Sequence, residues 1–447
     1  MRSDVFRDRI RCVRRASVLA LLLCLFITPV GWAAEQRPRV TLQLWTIWGG
    51  TRIPLMDRIV NEFEVAHPGI HVEHVIVDGG QRYDKFVTAV ASGAPPDVMM
   101  IGRHEVPALA ESQLIMPLDT YMAQDRDVRP DMFFPSEFQT CLWQGKTYVL
   151  PMPTGAGANG VVYYNKNLLA EAGLDSEKLP ETWREFTTLG RRLSRFSGEG
   201  KLEMLGVDVR GGGDRWFISW LHSNNGEYAR PDARRYSFYS PQGIEAVEWV
   251  MNFTHEVNGG PAAISEYVGR TGGAFSQGKR AMQIGGVWQL FIFEQESRDL
   301  DIGVGLIPHN EGAETWLAQV SGWGYGIATG VKNPYESWLL TKWLTTSEVG
   351  GWWFMFEQKR PSPVRKFTLD RRYFNLTPNW PMMIEAMQRS KPITFTPVEP
   401  RVWLPLENEF LRNAWNGSEP ARVVLERYFN EAQRLLDEYW AQKGSGR

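Results

Sequence analysis

The chain reads as an α/β protein built in two lobes, and three observations predict this. Its 447 residues exceed what one hydrophobic core organises, so at least two compact bodies are expected. From residue 40 onward, apolar runs of period two alternate with apolar runs of period 3.6, the strand and helix order of a parallel sheet with helices on its faces. After Pro153 the same alternation begins again.

The first segment stands outside that pattern. Six arginines (Arg2, Arg7, Arg9, Arg11, Arg14, Arg15) precede an uncharged apolar run from Ala16 to Val30 and then Gly31-Trp32-Ala33-Ala34. Basic, apolar and small residues in that order form a secretory signal peptide, residues 1–33, with cleavage after Ala33 or Ala34 and export of the mature chain. Ala16 to Ala34 is also just long enough to span a bilayer, but Pro29 and the small residues beyond it favour cleavage. Arg14-Arg15 lacks the apolar residues that usually follow a twin-arginine pair, and Cys24 lacks the small residues that precede a lipidated cysteine. Of the three cysteines only Cys141 lies beyond the signal, so no internal disulfide is expected. Losing six arginines and two aspartates with residues 1–33 moves the net charge from −2 to about −6, which provides no basic footprint for nucleic acid or an anionic membrane. Nineteen tryptophans exceed what a core of this size asks for and suggest flat ligands such as sugar rings.

The elements follow in order. "VTLQLW" (Val40 to Trp45) alternates as a strand, and Pro54 opens a helix whose Leu55, Ile59, Val60 and Phe63 share a face before Pro68 stops it. "GIHVEHVIV" is a strand, Tyr83 to Val90 a helix closed by Gly93, and "DVMMIG" a buried strand. In the second series Thr182 and Glu185 make a capping box ahead of Phe186, Leu189, Leu193 and Phe196, and Ser240-Pro241 caps a helix carrying Ile244, Val247 and Met251. Pro334 to Phe356 holds one or two tryptophan-rich helices. Ser418 with Pro420 starts a long amphipathic helix through Val424, Tyr428, Leu435 and Tyr439.

Gly155, Gly157 and Gly160 in "PTGAGANG" spell G-x-G-x-x-G, but a dinucleotide loop must lead into a helix whose N–H groups meet the pyrophosphate. Here it leads into "VVYYN", a strand, and Pro151 and Pro153 precede it, so the segment reads as a backbone crossing that lines a ligand cleft. His67, His71, Glu73 and His74 are zinc-ligand residue types close in sequence, yet in a strand His71 and His74 point to opposite faces, and no metal is expected. Asp78, Asp119, Glu294 and Glu296 form no evident pair for glycoside cleavage, and hydrolase and phosphate-loop motifs are absent, so no catalytic residues and no cofactors are expected.

"GVVYYNKNLLAEAGLDSEKLPETWREF" (Gly160 to Phe186) resembles the signature of the extracellular solute-binding proteins of family 1, the maltose-binding-protein-like receptors of ABC importers. "AFSQGKRAMQIGGVWQL" (Ala274 to Leu290) and "SGWGYGIATGVKNPYESWLLTKWL" (Ser321 to Leu344) resemble two further family segments in the expected order, and the series through "GAPPDVMMI" fits as well. The resemblance implies a periplasmic-binding-protein-like fold: two α/β lobes, three hinge crossings, and solute held in the cleft between them. One lobe would comprise 36–148 plus 324–367, the other 153–320 plus 370–445.

It further implies a monomeric periplasmic receptor that captures a carbohydrate or polyol by cleft closure and delivers it to ABC permease subunits, without making or breaking a bond. Candidate ligand-binding residues are Trp48, Arg103 and His104 at strand ends, Asn159 in the glycine loop, Trp288 after "IGG", Trp323 at the second crossing, and Trp216 and Trp403. Family members often carry acidic or aromatic residues where this chain has Gly102, Arg103, His104 and Glu105. That departure raises the alternative of an anionic solute such as a glycerophosphate-like compound, for which Arg103 would matter more than Trp288. A sensor linked to a chemoreceptor and an exported carbohydrate-active enzyme are the remaining alternatives.

Overall fold

The computed structural model describes residues 40–153, 160–210, 216–297, 299–314, 317–318, 322–375 and 377–445. Two sheets organise them. The larger has five strands in the order Ile70–Ile76, Val40–Thr46, Val98–Gly102, Trp323–Ile327, Val149–Pro151. Its first three strands are parallel, joined by the helices Ile53–Ala66 and Arg82–Ala91, as the alternation predicts. Only the fourth is reversed: Trp323–Ile327 runs antiparallel to both of its neighbours, which leaves Val149–Pro151 in the direction of the first three.

The smaller sheet has Val161–Asn165 between Met282–Gly285 and Ile302–Leu306, both antiparallel to it. A wholly parallel architecture is therefore corrected in both sheets. A parallel neighbour needs a crossover through a helix, whereas Val161–Asn165 and Trp323–Ile327 each pair with strands from distant parts of the chain. The two outer strands of the smaller sheet do run parallel to each other, and the helix Trp288–Glu296 lies between them in sequence.

The local readings rest on identifiable contacts. The helix Ile53–Ala66 buries Leu55, Met56, Ile59, Val60 and Phe63. These pack with Leu42 and Leu44 and with Leu340, Leu344 and Phe354 from two later helices, Pro334–Thr346 and Gly350–Gln358. Thr182 accepts from the Glu185 N–H at 3.2 Å, and the Glu185 carboxylate accepts from the Thr182 N–H at 3.2 Å, which completes the capping box of the helix Trp183–Leu193. Ser240 caps Pro241–Asn258 through the Gly243 N–H at 3.1 Å.

The long helix Ala421–Ser445 buries Val424, Leu425, Tyr428, Ala432, Leu435 and Leu436 against Phe217, Tyr228, Tyr236 and Phe238. Gly160, at φ +101°, opens directly into the strand Val161–Asn165, so the glycine motif ends in a strand and is not a dinucleotide loop. Among the described residues no helix is long and apolar enough to cross a membrane.

Candidate functional site

Parallel strands place their carboxyl ends on one edge of a sheet, where ligands of open α/β sheets bind. Val40–Thr46 delivers Ile47-Trp48-Gly49 to that edge, and Val98–Gly102 delivers Arg103 and His104. Trp323 pairs with Gly102 in register, and its carbonyl accepts from the Met152 N–H at 2.9 Å, so the two neighbouring crossings are held side by side at the same edge. On the smaller sheet the Gly160 N–H donates to the Gly285 carbonyl at 3.0 Å, and the buried Tyr163 hydroxyl donates to the Gly286 carbonyl at 2.7 Å. This Gly285-Gly286-Val287 turn opens the helix Trp288–Glu296 and presents Trp288.

The candidate side chains divide by burial. Trp288 is 39 % exposed, the only tryptophan side chain so open among the described residues. Trp323 is half-buried, with the Arg82 guanidinium 5.0 Å from its ring centre. Arg82 is held by the Glu105 carboxylate at 2.5 Å and the Met100 carbonyl at 3.3 Å. Trp48 is 5 % exposed, tilted against Phe354 at 5.2 Å. Over its ring lie the guanidinium carbons of Arg52 at 5.1 Å and Arg360 at 5.9 Å. Trp403, in the helix Glu399–Trp415, is buried, stacked on Phe395 at 5.7 Å and met edge-on by His104 at 4.6 Å. Asn159 and the side chain of Trp216 lie outside the described residues.

Arg103 is buried and paired. Its guanidinium is 1 % exposed and donates to the Glu137 carbonyl at 2.5 Å and the Glu137 carboxylate at 2.6 Å. It fills the space beside Gly322 that any side chain there would occupy, and the Arg103 N–H donates to the Gly322 carbonyl at 2.8 Å. This buried cation paired with a buried carboxylate ties the Phe134–Thr140 turn to the sheet edge. The nominal zinc group is likewise dispersed. His67 bonds the Phe63 carbonyl, His71 the Glu64 carboxylate and His74 the Thr46 hydroxyl.

Lys359, Glu111, Lys443, Arg52 and Arg360 carried no expectation from the sequence. Lys359 is ion-paired with Glu294 of the helix Trp288–Glu296, which ties the segment after Gly350–Gln358 to the Trp288 helix. Glu111 accepts from the Tyr439 hydroxyl at 2.9 Å and pairs with Lys443, a second tie between the larger sheet's surroundings and the long C-terminal helix. Arg52 lies four residues beyond Trp48 in "WTIWGGTR", a proximity visible in the sequence. Arg360 lies more than three hundred residues away and carries no local signal.

Three comparisons bear on this geometry. The diacetylchitobiose binding protein DasA of Streptomyces coelicolor is 24% identical over 309 residues, 68% of this chain and 67% of that one. The sn-glycerol-3-phosphate-binding periplasmic protein UgpB of Salmonella typhimurium is 21% identical over 454 residues, 94% of this chain and 97% of that one. In structure, the sugar-binding protein MalE from Xanthomonas citri matches with a TM-score of 0.75 at 18% identity, covering 90% of this chain and 99% of that one. The shared fold is the two-lobed α/β architecture of periplasmic solute-binding proteins, and the relatives are binding proteins rather than enzymes. The family profile of bacterial extracellular solute-binding proteins matches residues 49–351, more than half of the sequence, and the chain belongs to that family.

Proposed function

We propose that this protein captures a carbohydrate or polyol in the gap between its two sheets and delivers it to an ABC permease in the membrane, as an exported, periplasmic, monomeric receptor. It makes and breaks no bond. One lobe comprises 36–148 plus 324–367 and the other 153–320 plus 370–445. This division is supported by the packing of Leu340, Leu344 and Phe354 with Leu42 and Leu44.

The observation that carries the reading is Trp288. A large aromatic left 39 % exposed on the smaller sheet's side is suited to stack on a sugar ring, with Trp48, Trp323 and His104 at the carboxyl edge of the larger sheet as its proposed partners. Stacking adds about 0.5–1.5 kcal/mol beyond area burial, and hydroxyl partners add selectivity because each buried donor left unpaired costs about 1–3 kcal/mol. Diacetylchitobiose and sugar, in the names of DasA and MalE, support a saccharide. Binding to the closed form better than to the open form shifts the population toward closure, and the permease reads that shape.

A thermal-shift and calorimetric screen of neutral mono- and oligosaccharides tests this, since a ligand selective for the folded state raises its melting temperature. Trp288→Ala is expected to weaken the hit about tenfold, one of the factors of ten that 1.4 kcal/mol represents. Trp183→Phe is expected to leave it unchanged, because Trp183 is buried against Trp249 at 4.7 Å. Equal loss from both variants, or conversion of the sugar to a product, refutes the proposal.

A further inference from the structure

Two arginines at the same edge lack the carboxylate partner that Arg82, Arg103 and Lys359 possess. Arg82 has Glu105, Arg103 has Glu137 and Lys359 has Glu294. Arg360 is 5 % exposed, yet its side chain has neither a carboxylate nor a hydrogen-bond partner among the described residues, and its Nε is buried unbonded. Arg52, half-buried, has only the Gln358 amide oxygen, which accepts from its Nε at 3.1 Å. Two acids of the adjoining segments are paired elsewhere, Glu357 with Arg58 and Glu294 with Lys359. Both guanidinium groups sit over the ring of Trp48. Burial first, and the repulsion of Arg52 second, push the Arg360 guanidinium down to about 9, the response of a cation held without an anion.

The backbone adds to the same field. Arg52 is the N-cap of the helix Ile53–Ala66, whose N-terminus has no side-chain cap and no acid in its first turn. The positive end of its dipole lies beside Arg52, which precedes its first residue. An unpartnered guanidinium buried next to a like charge is strongly unfavourable for the empty protein. Such an arrangement is retained where the missing anion arrives with a ligand, because an arginine fork takes a carboxylate, sulfate or phosphate bidentately.

We propose that Arg52 and Arg360, over Trp48 and at the N-terminus of the helix Ile53–Ala66, form an oxyanion subsite, so that the solute is an acidic saccharide carrying a carboxylate, sulfate or phosphate. This rests on the saccharide reading above and moves the anion contact from Arg103 to residues that the sequence did not single out. Trp288 holds the ring, and the two arginines hold the acid.

The test uses the whole mature chain and isothermal titration with digalacturonate, its neutral methyl ester, glucose 6-phosphate, glucose, and inorganic phosphate and sulfate alone, each at low and high salt. The expected result is at least tenfold tighter binding of digalacturonate than of its ester, or of glucose 6-phosphate than of glucose, with a preference that shrinks as salt rises. Arg52→Gln and Arg360→Met each reduce that preference at least fivefold while leaving the neutral sugars unchanged. Arg360→Met also raises the melting temperature of the empty protein, which a merely structural arginine would not do. If it fails to fold, Arg52→Gln decides alone. Neutral and acidic sugars binding equally, or an acidic preference that survives Arg52→Gln, overturns the subsite and leaves the saccharide reading standing. Inorganic anions binding as tightly as their sugar conjugates keeps the subsite and overturns the saccharide reading. No binding by any probe overturns both.

Discussion

The Arg103–Glu137 pair separates a structural cation from a solute contact, and the outcome can be worked out from its geometry. Glu137 is fully buried and Arg103 is 1 % exposed, with two hydrogen bonds at 2.5 and 2.6 Å between them. Glu137→Ala leaves a guanidinium with no anion in a site closed to water, and breaking one side of a buried pair costs about 3–5 kcal/mol. Arg103→Met alone removes the guanidinium from the buried carboxylate and costs a similar amount. The double variant Arg103→Met with Glu137→Leu removes both charges and keeps apolar volume, so its stability is expected to lie close to wild type and above the sum of the singles by at least about 2 kcal/mol. Urea denaturation of the four proteins measures this coupling. The decisive readout is solute affinity in the double variant. If the pair serves only to clamp the Phe134–Thr140 turn, a folded double variant binds its solute as wild type does. A stable double variant that has lost solute binding would place Arg103 in contact with the solute and refute the reasoning.

Three further outcomes are expected. Glu399 is buried among Thr396, Tyr228 and Tyr236, and burial pushes its carboxyl up to about 7 despite the hydrogen bonds they donate. Its folded value lies above the unfolded one, so the stability it contributes is full below about pH 4.5 and is lost as pH rises through 7, on the order of 3 kcal/mol in all. Melting curves of wild type and Glu399→Gln across pH 4.5–8 should converge or cross in that direction; a constant offset contradicts it. Thr182→Ala removes one half of the capping box on Trp183–Leu193 and should lower stability by about 0.5–2 kcal/mol in urea melts, whereas Thr182→Ser should restore most of it. Gly190→Ala, inside that helix, should destabilise despite alanine's better helix propensity, because its methyl meets the Phe253 ring at 2.6 Å; a stabilised variant would mean that the ring moves aside freely.

What the sequence by itself determined is what neighbours along the chain determine. Period and punctuation placed the helix Ile53–Ala66 and its buried face, the capping box at Thr182, the Ser240 cap, and the strand that makes the glycine motif something other than a nucleotide loop. Quoted segments also carried the family, because their order along the chain survives divergence. Sheet direction was not legible, since Trp323–Ile327 pairs antiparallel with strands far earlier in the chain and nothing local records those partners.

The fate of each polar side chain at the edge was also a tertiary matter. Arg103 follows a strand as a ligand contact would, and only the fold brings Glu137, thirty-four residues on, into its guanidinium. Arg52 and Arg360 each look like ordinary surface cations in the sequence, and only packing both onto Trp48 leaves them without a counter-ion. Charge availability is decided by what lies within a few ångströms after folding, because the Coulomb and desolvation energies that set it act over that range and not along the chain.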